Sequence, residues 1–123
     1  MAELSEYLTN AELVTSVLGS WPSLHDAEIL TVKLTRDAEI TAELTIKAMP
    51  YEPSGKPKTS LIMLLFKGVE ELELVDFNEQ NVIWSLTVER DGDKKKLVIS
   101  SSYGLAGGFY FTEAEVLRVE PLN

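Results

Sequence analysis

Apolar residues recur every three or four positions between residues 4 and 18, which is the spacing of one face of an amphipathic helix. Thr9 and Glu12 have the spacing of a capping box, so we expect the helix to begin afresh at Thr9 after a shorter first turn. Gly19 supplies a left-handed stop. The pattern therefore predicts one helical region over about residues 3–18.

Apolar and polar residues alternate from Glu28 onward, which is typical of strands with one wet face. The runs at about 28–34 and 40–46 flank a tight turn at 36–38, so we expect them to form a hairpin. Further strands are predicted at 60–67, 70–77, 82–88, 97–102 and 109–119. The strand after residue 81 is marked by apolar residues at alternate positions, namely Val82, Trp84, Leu86 and Val88.

Turn signals separate several of these runs. Asp91-Gly92 is a strong hairpin signal, whereas two prolines and a glycine make residues 51–58 a loop. The run at 109–119 is compatible with a helix or a strand, and its aromatic triplet at 109–111 favours a strand. The sequence thus predicts an α+β fold in one domain over residues 1–123. In this fold an N-terminal helix packs on a mainly antiparallel sheet of about six or seven strands.

The composition permits an ordinary core and restricts the chemistry. With 123 residues and 45% hydrophobic residues the chain can bury a core without staples, and it has no cysteine for a disulfide, thiolate or thiol nucleophile. Acids stand near the start, where a secretory signal needs basic residues, and the apolar run at 61–66 is far shorter than a membrane helix. We therefore expect a cytoplasmic protein without a membrane partner.

Twenty acids against eleven bases give a formal charge of −9. Such a field repels nucleic acid, and a basic protein surface is the better electrostatic match. The basic run Lys94-Lys95-Lys96 directly follows the turn at 91–93, so we interpret it as a solvated shoulder of the hairpin; contact with an anionic ligand is the alternative.

Acidic residues are densest in the run at 70–79. Its candidate partner-binding residues are Glu70, Glu71, Glu73 and Asp76. On a strand, Glu71 and Glu73 share one face, opposite Leu72 and Leu74. The run is either an ordinary solvated face or a patch that steers association with a basic surface.

Catalytic residue types are few. His25 is the only histidine, which excludes sites that need several histidines. Asp26 and Glu28 lie two residues apart on one face of a strand, so a hydrolase built on His25, Asp26 and Glu28 is an alternative to be tested. The glycine-rich segment at 104–108 fits neither phosphate-loop pattern. We expect no catalytic residue, no cofactor and no bound metal, and thus a protein that is not an enzyme.

The segment from Gly19 to Ile29 reads as a helix stop followed by Trp-Pro-x-x-His-Asp-Ala-Glu and an apolar strand. Together with the glycine-rich aromatic segment at 107–111, this motif resembles the immunity protein 50 family of bacterial polymorphic-toxin systems, and the resemblance covers nearly the whole chain. The motif residues carried over are Trp21, Pro22, His25, Asp26 and Glu28.

The resemblance implies a cytoplasmic protein that binds and neutralises a cognate toxin. We expect the motif residues to serve the fold, with Trp21 as a buried core plug and with His25 and Asp26 forming hydrogen bonds in the turn. The leading hypothesis is therefore a monomer or weak homodimer that occludes a toxin by steric and electrostatic means. The remaining alternative is a small-ligand-binding or regulatory domain with a pocket between helix and sheet.

Overall fold

The computed structural model describes residues 2–49 and 59–122, and the loop expected at 51–58 lies outside these ranges. Its helices are a 3-10 helix, Leu4–Tyr7, and α1, Glu12–Leu18. Its strands are β1 (Ala2–Glu3), β2 (Glu28–Arg36), β3 (Ile40–Ala48), β4 (Ser60–Lys67), β5 (Glu70–Val75), β6 (Val82–Asp91), β7 (Lys94–Tyr103), β8 (Ala106–Phe111) and β9 (Glu113–Pro121).

The strands form one antiparallel sheet in the order β5-β8-β7-β6-β2-β3-β4-β9, and the two-residue β1 pairs with β6. The α+β class with a mainly antiparallel sheet is confirmed. The expected count of six or seven strands is wrong, because this path contains eight strands even without β1. The expected strand at 109–119 divides at Thr112, whose N–H donates to the carbonyl of Lys67 at 2.9 Å. The pairing changes at this corner: β8 pairs with β5 and β7, whereas β9 pairs with β4.

The two ends of the strand order are joined by continuous chain. Only Gly68 and Val69 separate β4 from β5, and only Thr112 separates β8 from β9. Phe66 of β4 accordingly packs edge-on against Phe109 and Phe111 of β8, with ring centroids 5.2 and 5.1 Å apart. The sheet therefore curves round on itself and encloses the apolar side chains.

The core follows from the alternation of the strands. Every second residue of β3 is buried, beginning at Ala42 and ending at Ala48, while the residues between them are half-buried. Five of the eight residues of β4 are buried and the other three are half-buried, in keeping with its apolar sequence. The buried side chains of seven strands, β2 to β4 and β6 to β9, belong to one hydrophobic cluster, against which α1 contributes the fully buried Val14.

The N-terminal region differs from the single helical region that the pattern predicts. Thr9 interrupts it, because the Thr9 N–H donates to the carbonyl of Ala114 and the Thr9 carbonyl accepts from Val116, both at 2.9 Å. α1 begins after Ala11 and has no side-chain cap, so the expected capping box is not formed. The left-handed stop at Gly19 is confirmed, with φ of 86°. Neither helix in the described part of the chain has the length and apolar character needed to cross a membrane.

The antiparallel register gives the sheet two distinct ends. We call one the hairpin end, where the turns at 37–39 and 92–93 and the corners at Gly68 and Thr112 lie. The opposite end carries the resemblance motif and we call it the motif end. It contains the segments 19–27, 76–81 and 104–105, which connect α1 to β2, β5 to β6 and β7 to β8.

Candidate functional site

The motif segment runs irregularly from Gly19 to the start of β2 and is attached to β6 by main-chain bonds. The Asp26 N–H donates to the carbonyl of Ile83, and the Ile83 N–H donates to the carbonyl of Ala27, each at 2.8 Å. Asp26 is left-handed, with φ of 71°, a conformation that aspartate adopts more readily than most residues. The Asp26 side chain is 75% exposed and lies 3.6 Å from Nε2 of His25. The turn bond that we expected from its carboxylate is thus made by its backbone.

His25 packs on an exposed tryptophan. Its Nδ1 lies 3.1 Å from the main-chain oxygen of Trp84 and must donate, because a carbonyl oxygen only accepts. The two rings meet edge-on, with centroids 4.6 Å apart. The register of β6 against β7 shifts on both sides of Ile83, and the second shift leaves Trp84 without a partner residue. Trp84 therefore points outward, whereas strict alternation would have placed it with the buried Leu86.

Two grooves flank His25. The first has a volume of about 430 Å³ and lies between β6, the start of the chain and the motif segment; its walls include Glu3, Trp21, Pro22, His25 and Trp84. The second has a volume of about 320 Å³ and is lined by residues that include Asp26, Glu28, Lys47 and Met49. Trp21, which we expected to be a largely buried plug, is half-buried: its indole packs against the core and also forms part of the groove wall.

The side chain of Asn81 connects the segments of the motif end by hydrogen bonds. It is buried, and its Oδ1 accepts from the N–H groups of Asn78 and Leu105 at 2.9 Å. Its Nδ2 donates to the carbonyl of Asn78 at 3.0 Å and points to that of Ile29 at 3.4 Å. One side chain thus joins the 76–81 loop, the β7–β8 turn and the start of β2.

The candidate acidic residues lie along β5 and just beyond it. Glu70, Glu71, Glu73 and Asp76 are all exposed. Leu72 and Leu74 pack against the core, as the alternation of this strand predicts. Within the described ranges β5 pairs only with β8, so the acids border an edge of the sheet and form a strip that ends at the motif end. We call these four residues the acidic strip.

The geometry gives the hydrolase interpretation no support. Nδ1 of His25 is engaged by a carbonyl, and Nε2 lies farther from Asp26 than a good hydrogen bond requires. Glu28 stands opposite Lys47 in the β2–β3 register, which is an ordinary cross-strand pair. In the part of the chain that is described, no group of three or more His, Cys, Asp or Glu residues is placed to hold a metal ion.

The comparison with protein families shows to which family this chain belongs. The family model of immunity protein 50 matches residues 10–122, which is nearly the whole chain. The chain belongs to the immunity protein 50 family. This match confirms the family that the Trp-Pro-x-x-His-Asp-Ala-Glu motif indicates. Neither the search of curated proteins nor the search of solved structures found a significant match.

In this immunity protein 50 chain, sequence reasoning missed the residues that connect the motif to the sheet. Asn81 is one of several asparagines and glutamines in a polar loop, and only its burial distinguishes it. Trp84 was one of four alternating apolar residues that predicted the strand, and nothing singled it out as exposed. The signal that could have found it is the rest of the strand: Ile83 is also apolar, so the period breaks between Ile83 and Trp84.

Proposed function

We propose that this immunity protein binds a cognate toxin and neutralises it by covering a basic or substrate-binding surface. The observation that carries the proposal is the family match over residues 10–122, since an immunity protein acts on a toxin partner. The proposed site of action is the cytoplasm, and the proposed active form is a monomer or weak homodimer.

The charge distribution supports an electrostatic contribution. The chain carries a net charge of −9, and the acidic strip is fully on the surface, where its field reaches an approaching partner. Opposite charges accelerate association more than they slow dissociation, because they act before contact. Salt screens such a field over about 10 Å at 0.1 M. The association rate with a basic toxin should therefore fall as salt is added.

The test requires a toxin domain, which is to be sought first among the products of the genes adjacent to this one. The wild-type chain is expected to rescue cells that express the toxin and to form a complex with it in solution. The Glu71→Lys, Glu73→Lys double variant should lower the association rate about tenfold at low salt and much less at high salt. The matched control is Asp37→Lys with Glu39→Lys, which makes the same change of charge on exposed residues at the hairpin end.

Two results would contradict the proposal in different ways. A wild-type chain that neither binds nor inhibits the neighbouring toxin would remove toxin neutralisation. An equal association rate for the wild type and both double variants, at every salt concentration, would leave the toxin as partner and remove the acidic strip from the mechanism.

The small-ligand alternative gains no support from the helix. Val14 of α1 is fully buried and packs against the core. The groove of about 430 Å³ lies instead along β6, beside Trp21 and Trp84.

A further inference from the structure

We infer that the groove between Trp21 and Trp84 receives a cationic side chain, an arginine in the first instance, from the toxin. The inference rests on the proposed function and names the contact that would hold the complex together. It starts from the exposure of Trp84, which is 60% and the largest among the described large hydrophobic residues. An exposed indole is costly to leave in water and is a common anchor of protein interfaces.

Trp84 is held in place before any partner arrives. Its carbonyl accepts the His25 Nδ1 hydrogen bond, and its ring lies against the edge of the imidazole. Its backbone is paired on both sides of the bulge, at Ile83 and Ser85. A ring that is already fixed loses little conformational entropy on binding, so most of its contact energy is retained.

The charge of the groove selects a cation. Of the residues that line it, Glu3 is the one with a permanent charge, and none is lysine or arginine. Indole faces attract cations, and a guanidinium stacks on an indole while its N–H groups pair with a carboxylate. A groove of about 430 Å³ has room for such a side chain together with water. An arginine side chain can stack on Trp84 and pair with Glu3 at the same time, so it can contact both walls of the groove.

The hairpin end shows the same chemistry already satisfied within the chain. There, Nζ of Lys94 and Lys96 lies 5.3 and 5.6 Å from the ring centroid of Tyr110, and that of Lys95 lies 5.5 Å from Phe111. At the motif end, no lysine or arginine of residues 2–49 or 59–122 is found over either indole. Among residues 2–49 and 59–122, therefore, no lysine or arginine supplies the cation that this aromatic and acidic groove would bind.

The position of the groove also fits the acidic strip. The strip ends at Asp76, and the loop that follows it is tied by Asn81 to the strand that begins directly after the motif. Charge along β5 would bring a basic surface toward the end of the sheet where the groove opens. The two features predict separate kinetic effects, because the strip acts on association and the groove on dissociation.

The experiment measures both rates with the neighbouring toxin domain. Trp84→Leu removes the indole but keeps an apolar side chain, and it should raise the dissociation rate about 30-fold or more, with little change in the association rate. Trp84→Phe should have a smaller effect, because phenylalanine keeps a weaker cation-binding face. Glu3→Gln should raise the dissociation rate several-fold. The control is Leu34→Ser, which removes an apolar side chain of 49% exposure at the hairpin end and should leave both rates unchanged.

A second readout identifies the occupant. In a Trp21→Phe background, Trp84 is the one remaining tryptophan, and its emission should shift to shorter wavelength when the toxin binds. Alanine substitution of each toxin arginine and lysine, combined with Trp84→Leu in double-mutant cycles, should find one strongly coupled residue.

The outcomes distinguish this inference from the proposed function. A toxin that binds the wild type and the Trp84→Leu variant with the same dissociation rate overturns the groove as the contact. Coupling of Trp84 to an apolar toxin residue, with none to arginine or lysine, overturns the cation. A wild-type chain that binds no toxin overturns the proposed function itself, and with it the partner named here.

Discussion

The two ends of the sheet are built on different principles. At the hairpin end the chain reverses through tight local turns, and acids and bases are mixed, with three lysines lying over aromatic rings. At the motif end, segments that are distant in sequence meet around Asn81. Residues 19–28, 76–85 and 100–106 contain four acids, one histidine and no lysine or arginine. Local turn rules suffice for the two hairpins of the first end, whereas the second end depends on tertiary contacts throughout and concentrates the features suited to a partner.

The comparison predicts that the largest stability effect will be found at Asn81. Asn81→Ala removes the buried side chain that serves as hydrogen-bond partner to two N–H groups and up to two carbonyls. The free energy of unfolding should therefore fall by about 3–5 kcal/mol. Asp37→Ala at the opposite turn should cost no more than about 0.5 kcal/mol, since the turn bond of Asp37 comes from its main chain. Urea unfolding of both variants measures this difference. Equal costs would mean that the two ends do not differ in the way described.

A matched pair of glycines gives the next largest effect. A Cβ on Gly107 would lie 1.9 Å from the main-chain oxygen of Glu73, at a φ of 128° that side chains rarely adopt. Gly107→Ala should therefore lower the free energy of unfolding by about 2–4 kcal/mol and loosen β5 from β8. A Cβ on Gly92 meets nothing within 4 Å, so Gly92→Ala should cost only about 1 kcal/mol from its left-handed backbone. Thermal unfolding and amide exchange of β5 test the pair; similar losses in both would contradict the close approach.

The smallest expected effect is a titration at the motif end. The hydrogen bond from the Tyr103 hydroxyl to Glu79, and then the negative charge of Glu79, raise the pKa of Tyr103 above its ordinary value of 10.0. Because this pKa is higher in the folded chain, the bond stabilises the fold below pH 10 and is lost as the pH rises through the folded pKa.

Absorbance at 295 nm should detect this late titration as the difference between the wild type and Tyr103→Phe. Glu79→Gln should move it to lower pH, with the fold unchanged. A Tyr103 titration that stays in place in Glu79→Gln would show that Glu79 is not its cause.

The sequence was sufficient where structure is decided locally. The hairpins at 37–39 and 92–93, the buried β4 and the alternation of β5 follow from period and turn chemistry, and the structure has them where expected. The end of α1 at the left-handed Gly19 could also be predicted from the sequence. Each of these features depends on residues close together in the sequence, and no contact between distant segments displaces it in this structure.

The rest depended on contacts between distant segments. Nothing in the run at 109–119 marks Thr112 as a corner, because its hydrogen bond goes to Lys67, 45 residues earlier. Thr9 was expected to begin a helix, but its backbone N–H and carbonyl form hydrogen bonds with β9 instead. The alternation from Val82 to Val88 gave no sign that Trp84 is exposed, because one added residue in a strand reverses every later position and the sequence does not mark it. The acidic residues of the candidate site could be predicted from the sequence. The groove could not, because it depends on how the fold brings the bulge at Trp84 and the motif segment together.

The corner at Thr112 has a consequence for the order in which the protein can assemble during synthesis. Ribosomes add about 5–20 residues per second, so residues 106–121 take roughly one to three seconds to make. Until they emerge, β4 and β7 each lack a neighbour and Phe66 lacks both of its aromatic partners. A nascent chain at that stage has bare strand edges that favour misassociation.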